Sequence, residues 1–413
     1  MAPAASGSAL ENNLQLYGRH KVAAGLLFWF PTSLLFFLER VGLGATLRLA
    51  AVYFLTVVVV EVPSGWFSDR FGRVRTLRFG ATAWVIGYAT FLVAGSSIAL
   101  LALAQALVAV GYASFSGTDT SFHYDTLEAL GRSSEFDRAE ARASRDAFLG
   151  TTAAAIVGGT LGLIDLRLPF AASLVAATYQ LTVALRMVEP VAAGHDSPAA
   201  AATGQLRAAL RYLSRPGLAW IFLFMTVQEP LEGLVIDMIQ PWLTEVTGAS
   251  LADAGAAPFY SGLLVAVISV IGAVAAARSY QLRRALGLRG ALGLLASIEA
   301  LILVGMALTF SPWLTLLIAL RSTQAAAAPV LIAAAATPHL MKHHRATFLS
   351  LGSLSGRLAY GIVLIGLGFF GEFDDVLMVG AAIGVVSVAL LLAAHFILGR
   401  DDLNGGANAG GSC

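Results

Sequence analysis

The stretch Gly65-Trp66-Phe67-Ser68-Asp69-Arg70-Phe71-Gly72-Arg73-Val74-Arg75 is a tight polar turn set between two apolar runs, residues 47–66 and 76–95. Each run has the roughly 20 mainly apolar residues that a helix needs to cross a bilayer. Glycine suits such a turn because it accepts positive φ and close backbone approach, and Gly65 and Gly72 are placed to supply both. Asp69 is expected to face the N-terminus of the second helix and the nearby arginines. Arg70, Arg73 and Arg75 are expected to reach carboxylates on neighbouring helix ends. Such a cluster can latch one conformation and release another.

Working outward, apolar runs of the same kind occur at 22–41, 98–121, 146–164, 168–187, 217–241, 258–277, 290–310, 312–335, 347–370 and 376–397. With the first pair they make twelve expected spans. The chain is 57% apolar and only 12% charged, against about 25% charged in soluble domains. A soluble core cannot hide that much apolar surface, and a bilayer can. The expected fold is an all-α membrane protein of 12 transmembrane helices in two six-helix bundles. Residues 1–18 read as a disordered tail without a cleavable signal peptide. Residues 19–189 form the first bundle, 190–216 an Ala/Pro/Gly-rich linker, 217–398 the second bundle, and 399–413 a second disordered tail.

Basic residues fix the orientation. Twenty-one Lys and Arg fall in alternate loops on one side, among them Arg70, Arg73, Arg75, Arg132, Arg142, Arg215, Arg284 and Arg345. Only Arg40, Arg48 and Arg167 fall on the other. Both termini are therefore expected in the cytoplasm. The net charge of +1 gives no reason to expect a nucleic-acid partner. The lone cysteine, Cys413, excludes an internal disulfide or a cysteine metal site. Lysine is nearly absent beside abundant Arg, Ala and Gly, which suits a GC-rich bacterial genome and an inner-membrane location.

The turn at 65–73 resembles the helix 2–3 signature of the major facilitator superfamily, G-x-x-x-D-R-x-G-R. The preceding Glu61-Val62-Pro63-Ser64 is similar to the form in one large bacterial branch. Ser116 to Asp119, Tyr124 to Leu127 and Arg345 to Leu351 support that branch. The resemblance spans residues 15–398. It implies a cytoplasmic gate built from Gly65, Asp69, Arg70, Gly72 and Arg73, with Asp125 as the partner acid at the inner end of helix 4. It also implies that helices 1, 4, 7 and 10 line a central cavity. The matching turn of the second half, 278–289, keeps its basic residues but has lost the acid.

A charge in hydrocarbon costs roughly 2.5–3.5 kcal/mol or more, so each calls for a partner or a task. Helix 7 carries Glu229, Glu232 and Asp237, with Pro230 expected to kink it. Arg321 in helix 10 lies at a similar depth by the 1.5 Å rise. One or both glutamates are expected to bind protons, with Arg321 modulating them. The competing readings are a structural ion pair and anion binding by Arg321. Asp119 can face the cavity, and His123 reads as an interface residue. Glu61 reads as a partner for the turn's arginines, while Glu299 has no evident partner. Gly158 and Gly162 have helix-packing spacing. Trp66, Trp220, Trp242 and Trp313 read as interfacial anchors. His339, His343 and His344 read as a solvated loop rather than a metal site.

The expected function is secondary active transport by alternating access, a proton-coupled export of an amphipathic or cationic small molecule. The alternative is uptake of an organic anion through Arg321. A transport-inactive sensor or scaffold ranks lower, and no convergent catalytic set points to an enzyme. No cofactor or metal is expected. The partners are protons, a small-molecule substrate and the lipid bilayer, with the chain a monomer. Accessibility tagging is expected to place the N-terminus and the 190–216 segment on the same membrane face. Opposite faces would overturn the two-bundle reading.

Overall fold

The computed structural model describes residues 7–190, 210–248, 255–341 and 344–398. Among them there is no strand. The helices are α1 (Gly7–Gly25), α2 (Ser33–Phe71), α3 (Arg73–Val93), α4 (Ile98–Phe115), α5 (Thr118–Ala129), α6 (Phe136–Gly162), α7 (Leu168–Arg186), α8 (Pro216–Val246), α9 (Ala257–Leu308), α10 (Leu314–Ile318), α11 (Ser322–Ala336), α12 (Arg345–Leu367) and α13 (Phe373–Ile397). Nine helical stretches of the described residues are long and apolar enough to cross a membrane. Two of these, Gly7–Phe71 and Ala257–Leu308, run to 65 and 52 residues, enough for two crossings each at roughly 20 residues per crossing. They bend at Gly42 and Gly287, where φ is +73° and +70°, a conformation that only glycine adopts without strain. The first third of α6 is charged, from Asp137 to Asp146, which keeps it outside that set.

The chain divides into two compact units, residues 1–197 with 247–266, and 198–246 with 267–413. The start of α9, residues 257–266, belongs with the first unit. Glycine explains it. A Cβ on Gly159 would meet the Pro258 carbonyl, and one on Gly262 would meet the Ala155 carbonyl. Two backbones approach there as closely as small residues allow.

The first unit departs from expectation at its beginning. Residues 7–18 are helical, with Leu10, Asn13, Leu16 and Tyr17 buried, not a structureless tail. The expected span 22–41 is then broken. α1 ends at Gly25, a 3₁₀ turn occupies Phe30–Thr32, and α2 starts at Ser33. Pro31 has no N–H to continue a ladder, and backbone freed at membrane depth must be satisfied by protein. The Thr151 hydroxyl donates to the Gly25 carbonyl at 2.8 Å. The Trp29 N–H donates to Ser173 Oγ at 3.2 Å, and its indole N–H to the Tyr88 hydroxyl at 2.8 Å. A Cβ on Gly158 would strike the Phe28 carbonyl, so the small residue at 158 makes room for the break.

In the second unit α8 runs unbroken through Pro230 and Pro241. α12 packs along it in a ladder of small residues. Gly352 and Gly356 sit against Met225 and Glu229, and the Thr226 and Ser355 hydroxyls share a hydrogen bond of 2.7 Å. Trp220 and Trp242 are buried rather than interfacial. Each donates its indole N–H to a backbone carbonyl, Leu391 at 3.2 Å and Thr309 at 3.1 Å, which is how a buried tryptophan satisfies its donor. Trp66 and Trp313 are exposed, as anchors require.

Gly65 offers a contrast to Gly158. It lies inside α2, and a Cβ there would meet nothing within 4 Å; neither turn geometry nor close packing in this structure explains it. Thermal unfolding in detergent separates the two positions. Gly158→Ala is expected to lose about 1–3 kcal/mol by overpacking against a carbonyl that cannot yield. Gly65→Ala is expected to hold or gain stability, by up to about 1 kcal/mol from helix propensity.

Candidate functional site

The turn that opens the sequence is built around Gly72. Its φ is +104°, and a Cβ would lie 2.6 Å from a Glu189 carboxylate oxygen. Glycine is needed on both counts. The Glu189 carboxylate accepts the backbone N–H of Arg73 at 2.8 Å and of Val74 at 3.0 Å, the first donors of α3. An anion there complements the helix dipole. Asp69, expected at this N-terminus, is displaced from it by Glu189. Burial pushes the Glu189 carboxyl above its ordinary value, although the two N–H bonds and the charge of Arg73 act the other way. Reciprocally, Arg78 of α3 donates to the carbonyls of Ala184, Leu185 and Met187 at the end of α7, at 2.9–3.1 Å. The two helices thus clasp each other, an anion at one terminus and a cation at the other.

Arg73 joins the other gate residues. Its Nη1 bonds Asp69 Oδ1 at 2.5 Å and Ser68 Oγ at 3.0 Å, and its Nε lies 3.4 Å from Asp125 Oδ2. Asp69, Arg73 and Asp125 therefore meet. Arg70 turns away and lies over the Trp66 ring, 5.9 Å from its centroid. Glu61 accepts from the Ser116 hydroxyl at 3.2 Å.

A second polar cluster sits where the helix 4 run is interrupted. α4 ends at Phe115, Gly117 takes φ +74°, and α5 restarts at Thr118. The break aims Asp119 and His123, one turn apart, at α1 and α6. Lys21 Nζ is 2.6 Å from Asp119 Oδ2 and 3.4 Å from Glu140 Oε1. Glu140 Oε2 also accepts from the Tyr17 hydroxyl and lies 2.7 Å from His123 Nδ1, each at 2.7 Å. The Tyr17 and His123 rings stack at 4.1 Å. Lys21 and Glu140 were visible in sequence only as members of polar flanks. Lys21 meets Asp119 across 98 residues and Glu140 meets Tyr17 across 123, beyond any local pattern.

In the second unit, Arg321 Nη2 donates to Glu232 Oε1 at 3.1 Å, so the expected meeting of helices 7 and 10 takes place. The side chains are 9% and 21% exposed. Arg321 occupies a 3₁₀ turn, Ala319–Arg321, between α10 and α11; such tightening inside a helix often marks a hinge. Glu229 faces α12, its Cβ 2.9 Å from where a Gly356 Cβ would stand. Asp237 accepts the Tyr360 hydroxyl at 2.5 Å, and the tyrosine ring lies where a Gly233 Cβ would be. Gly233 and Asp237, one turn apart on α8, thus form the seat and the acceptor for one tyrosine. Sequence reasoning missed Tyr360 and left Glu299 unplaced. Glu299 is fully buried in α9, and Arg321 and Glu232 are the charges that act on it.

Among the described residues no group of three His, Cys, Asp or Glu could hold a metal. His343 lies outside the described residues. His344 Nδ1 contacts the Tyr212 hydroxyl at 3.2 Å, and Arg215 donates to the His339 carbonyl at 2.9 Å.

The Glu140 network predicts a pH dependence. Burial works to raise this carboxyl, but hydrogen bonds from His123 and Tyr17 and the charge of Lys21 outweigh it and hold it at about 2. A carboxyl lowered on folding adds stability above its unfolded value, near 4.3. That stability is lost as pH falls toward about 2. Thermal unfolding of wild type against Glu140→Gln is expected to differ by on the order of 2 kcal/mol near neutral pH. The difference is expected to shrink as the medium is acidified through that window.

No curated protein matches the chain significantly in sequence. Solved structures do match in fold. A mutant of the nucleoside transporter NupG superimposes with a TM-score of 0.77 at 14% identity, over 93% of this chain and 99% of that one. A D-xylose-proton symporter gives 0.65 at 14% identity over 94% and 97%. A bacterial homologue of the iron transporter ferroportin, in an inward-facing state, gives 0.64 at 16% identity over 94% and 98%. The sequence pattern of the Major Facilitator Superfamily matches residues 23–363. With the helical fold and the apolar spans, that match makes this chain a multi-pass membrane protein and a member of the major facilitator superfamily.

Proposed function

We propose that this chain is a secondary active transporter working by alternating access, and that it couples proton movement to the export of a cationic or amphipathic small molecule, with both termini in the cytoplasm. The observation that carries the reading is the half-buried Glu232–Arg321 pair at 3.1 Å. It sits on a helix that carries two further carboxylates, Glu229 and Asp237. A carboxylate at membrane depth calls for a partner, a proton or a cationic solute. Arg321 is already engaged by Glu232, which favours a cationic over an anionic substrate. The D-xylose-proton symporter that shares the fold is named for proton coupling, and the same coupling suits the acid-rich α8. The Asp69–Arg73–Asp125 triangle is the cytoplasmic gate: its bonds tie the α2–α3 turn to α5 and must break if those ends separate.

Reconstitution tests this directly. In liposomes with an imposed pH gradient, movement of a lipophilic cation such as ethidium is expected to be accompanied by proton counterflow. The double variant Glu229→Gln, Glu232→Gln is expected to reduce both to the level of empty liposomes while inserting normally. Retained coupling in that variant would remove α8 from the proposal. Absence of flux for cationic, neutral and anionic probes under every gradient would favour a scaffold.

A further inference from the structure

Glu299 is fully buried, and neither of its carboxyl oxygens has a hydrogen-bond partner among the described residues. Arg321, buried as well, uses Nη2 on Glu232 while its Nε has no partner. Two independent contacts set the register of these helices. Arg289 of α9 lies over the Trp220 ring of α8 at 5.7 Å, and twenty residues on, the Thr309 carbonyl accepts from Trp242. The two helices therefore run parallel, with equal rise per residue. Halfway between the contacts, Glu299 stands level with Leu231 and Glu232. The charges acting on Glu299 are Glu232 from α8 and Arg321 from the α10–α11 turn. α13 crosses α9 beside it with Gly384 against Ala300; its own titratable groups, Asp374, Asp375 and His395, lie near its ends.

We propose that Glu299 is a proton-carrying residue and that Arg321 exchanges between it and Glu232. An ionised carboxylate without a donor in the interior costs several kcal/mol, and one guanidinium charge neutralises only one of two carboxylates. In the state described, Arg321 pairs with Glu232 and the proton resides on Glu299. In the alternative state, the proton passes to Glu232 and Arg321 pairs with the Glu299 carboxylate. The exchange conserves one proton, one guanidinium charge and one carboxylate charge. Only Glu232 of the two acids is partly exposed, so it exchanges the proton with the medium or gives up its place to a cationic solute. The 3₁₀ turn at Arg321 is the pivot. This inference rests on the proton coupling proposed above and adds the residue that stores the proton.

Infrared spectroscopy of the full chain in lipid at neutral pH tests it through the carbonyl stretch of protonated carboxylic acids. Carbon-13 at the glutamate carboxyls separates glutamate from Asp237. Wild type is expected to show a glutamic acid band that Glu299→Gln removes. Glu232→Gln is expected to remove it too, because Arg321 then has Glu299 as its remaining partner of the pair. A band that survives in Glu299→Gln, or persists unchanged in Glu232→Gln, would overturn the exchange. If Glu299→Gln does not accumulate in the membrane, Glu299→Asp carries the same test, since its band no longer responds to glutamate labelling. Band losses as expected, without proton counterflow in liposomes, would leave the exchange standing and remove the coupling. Counterflow with an unaltered band would do the reverse.

Discussion

A polar group below the lipid headgroups has no water to fall back on, and the structure follows from where each such group finds its partner. The broken first span shows this most directly. Interrupting a helix at Leu26 to Trp29 frees carbonyls and amides that hydrocarbon cannot satisfy. Thr151 and Ser173, from two different helices, take up the Gly25 carbonyl and the Trp29 amide, and Tyr88 accepts the Trp29 indole N–H. Gly158 then has to be small, because the rerouted Phe28 carbonyl occupies the space above it.

The same constraint organises the charged residues, and the two units answer it differently. In the first unit the charges sit near helix ends and are closed into local rings. Glu189 caps α3, Arg78 caps α7, and Arg73 ties Asp69 to Asp125. Lys21, Asp119 and Glu140 form a comparable ring around a stacked Tyr17 and His123. In the second unit the acids Glu232, Asp237 and Glu299 lie within the long apolar helices α8 and α9. A ring of charges near helix ends holds a shape, whereas a carboxylate at membrane depth calls for a partner or a proton. The proposed transport chemistry accordingly rests on the second unit and the proposed latch on the first.

Helix interruptions place both sets of groups. Gly117 redirects the chain so that Asp119 and His123 meet α1 and α6. The 3₁₀ turn at 319–321 sets Arg321 against α8. In each case a short irregular segment inside a span sets the direction in which a charged side chain meets its neighbour.

The sequence by itself determined the solvent of this protein and its helical class. These depend on composition and on run length, which are local quantities. The turn at 65–73 was legible because its meaning lies within eleven consecutive residues, and the Glu232–Arg321 meeting because helix rise alone sets depth. Tertiary structure decided the rest. Glu189 took the helix terminus expected for Asp69, Gly65 proved to have no steric task, Trp220 and Trp242 turned inward, and residues 7–18 became helix. It also buried Glu299 with no hydrogen-bond partner among the described residues. Each of these depends on which faces of two helices meet and how closely their backbones approach, and that is fixed by glycines and breaks far apart in the chain, not by the periodicity of any one segment.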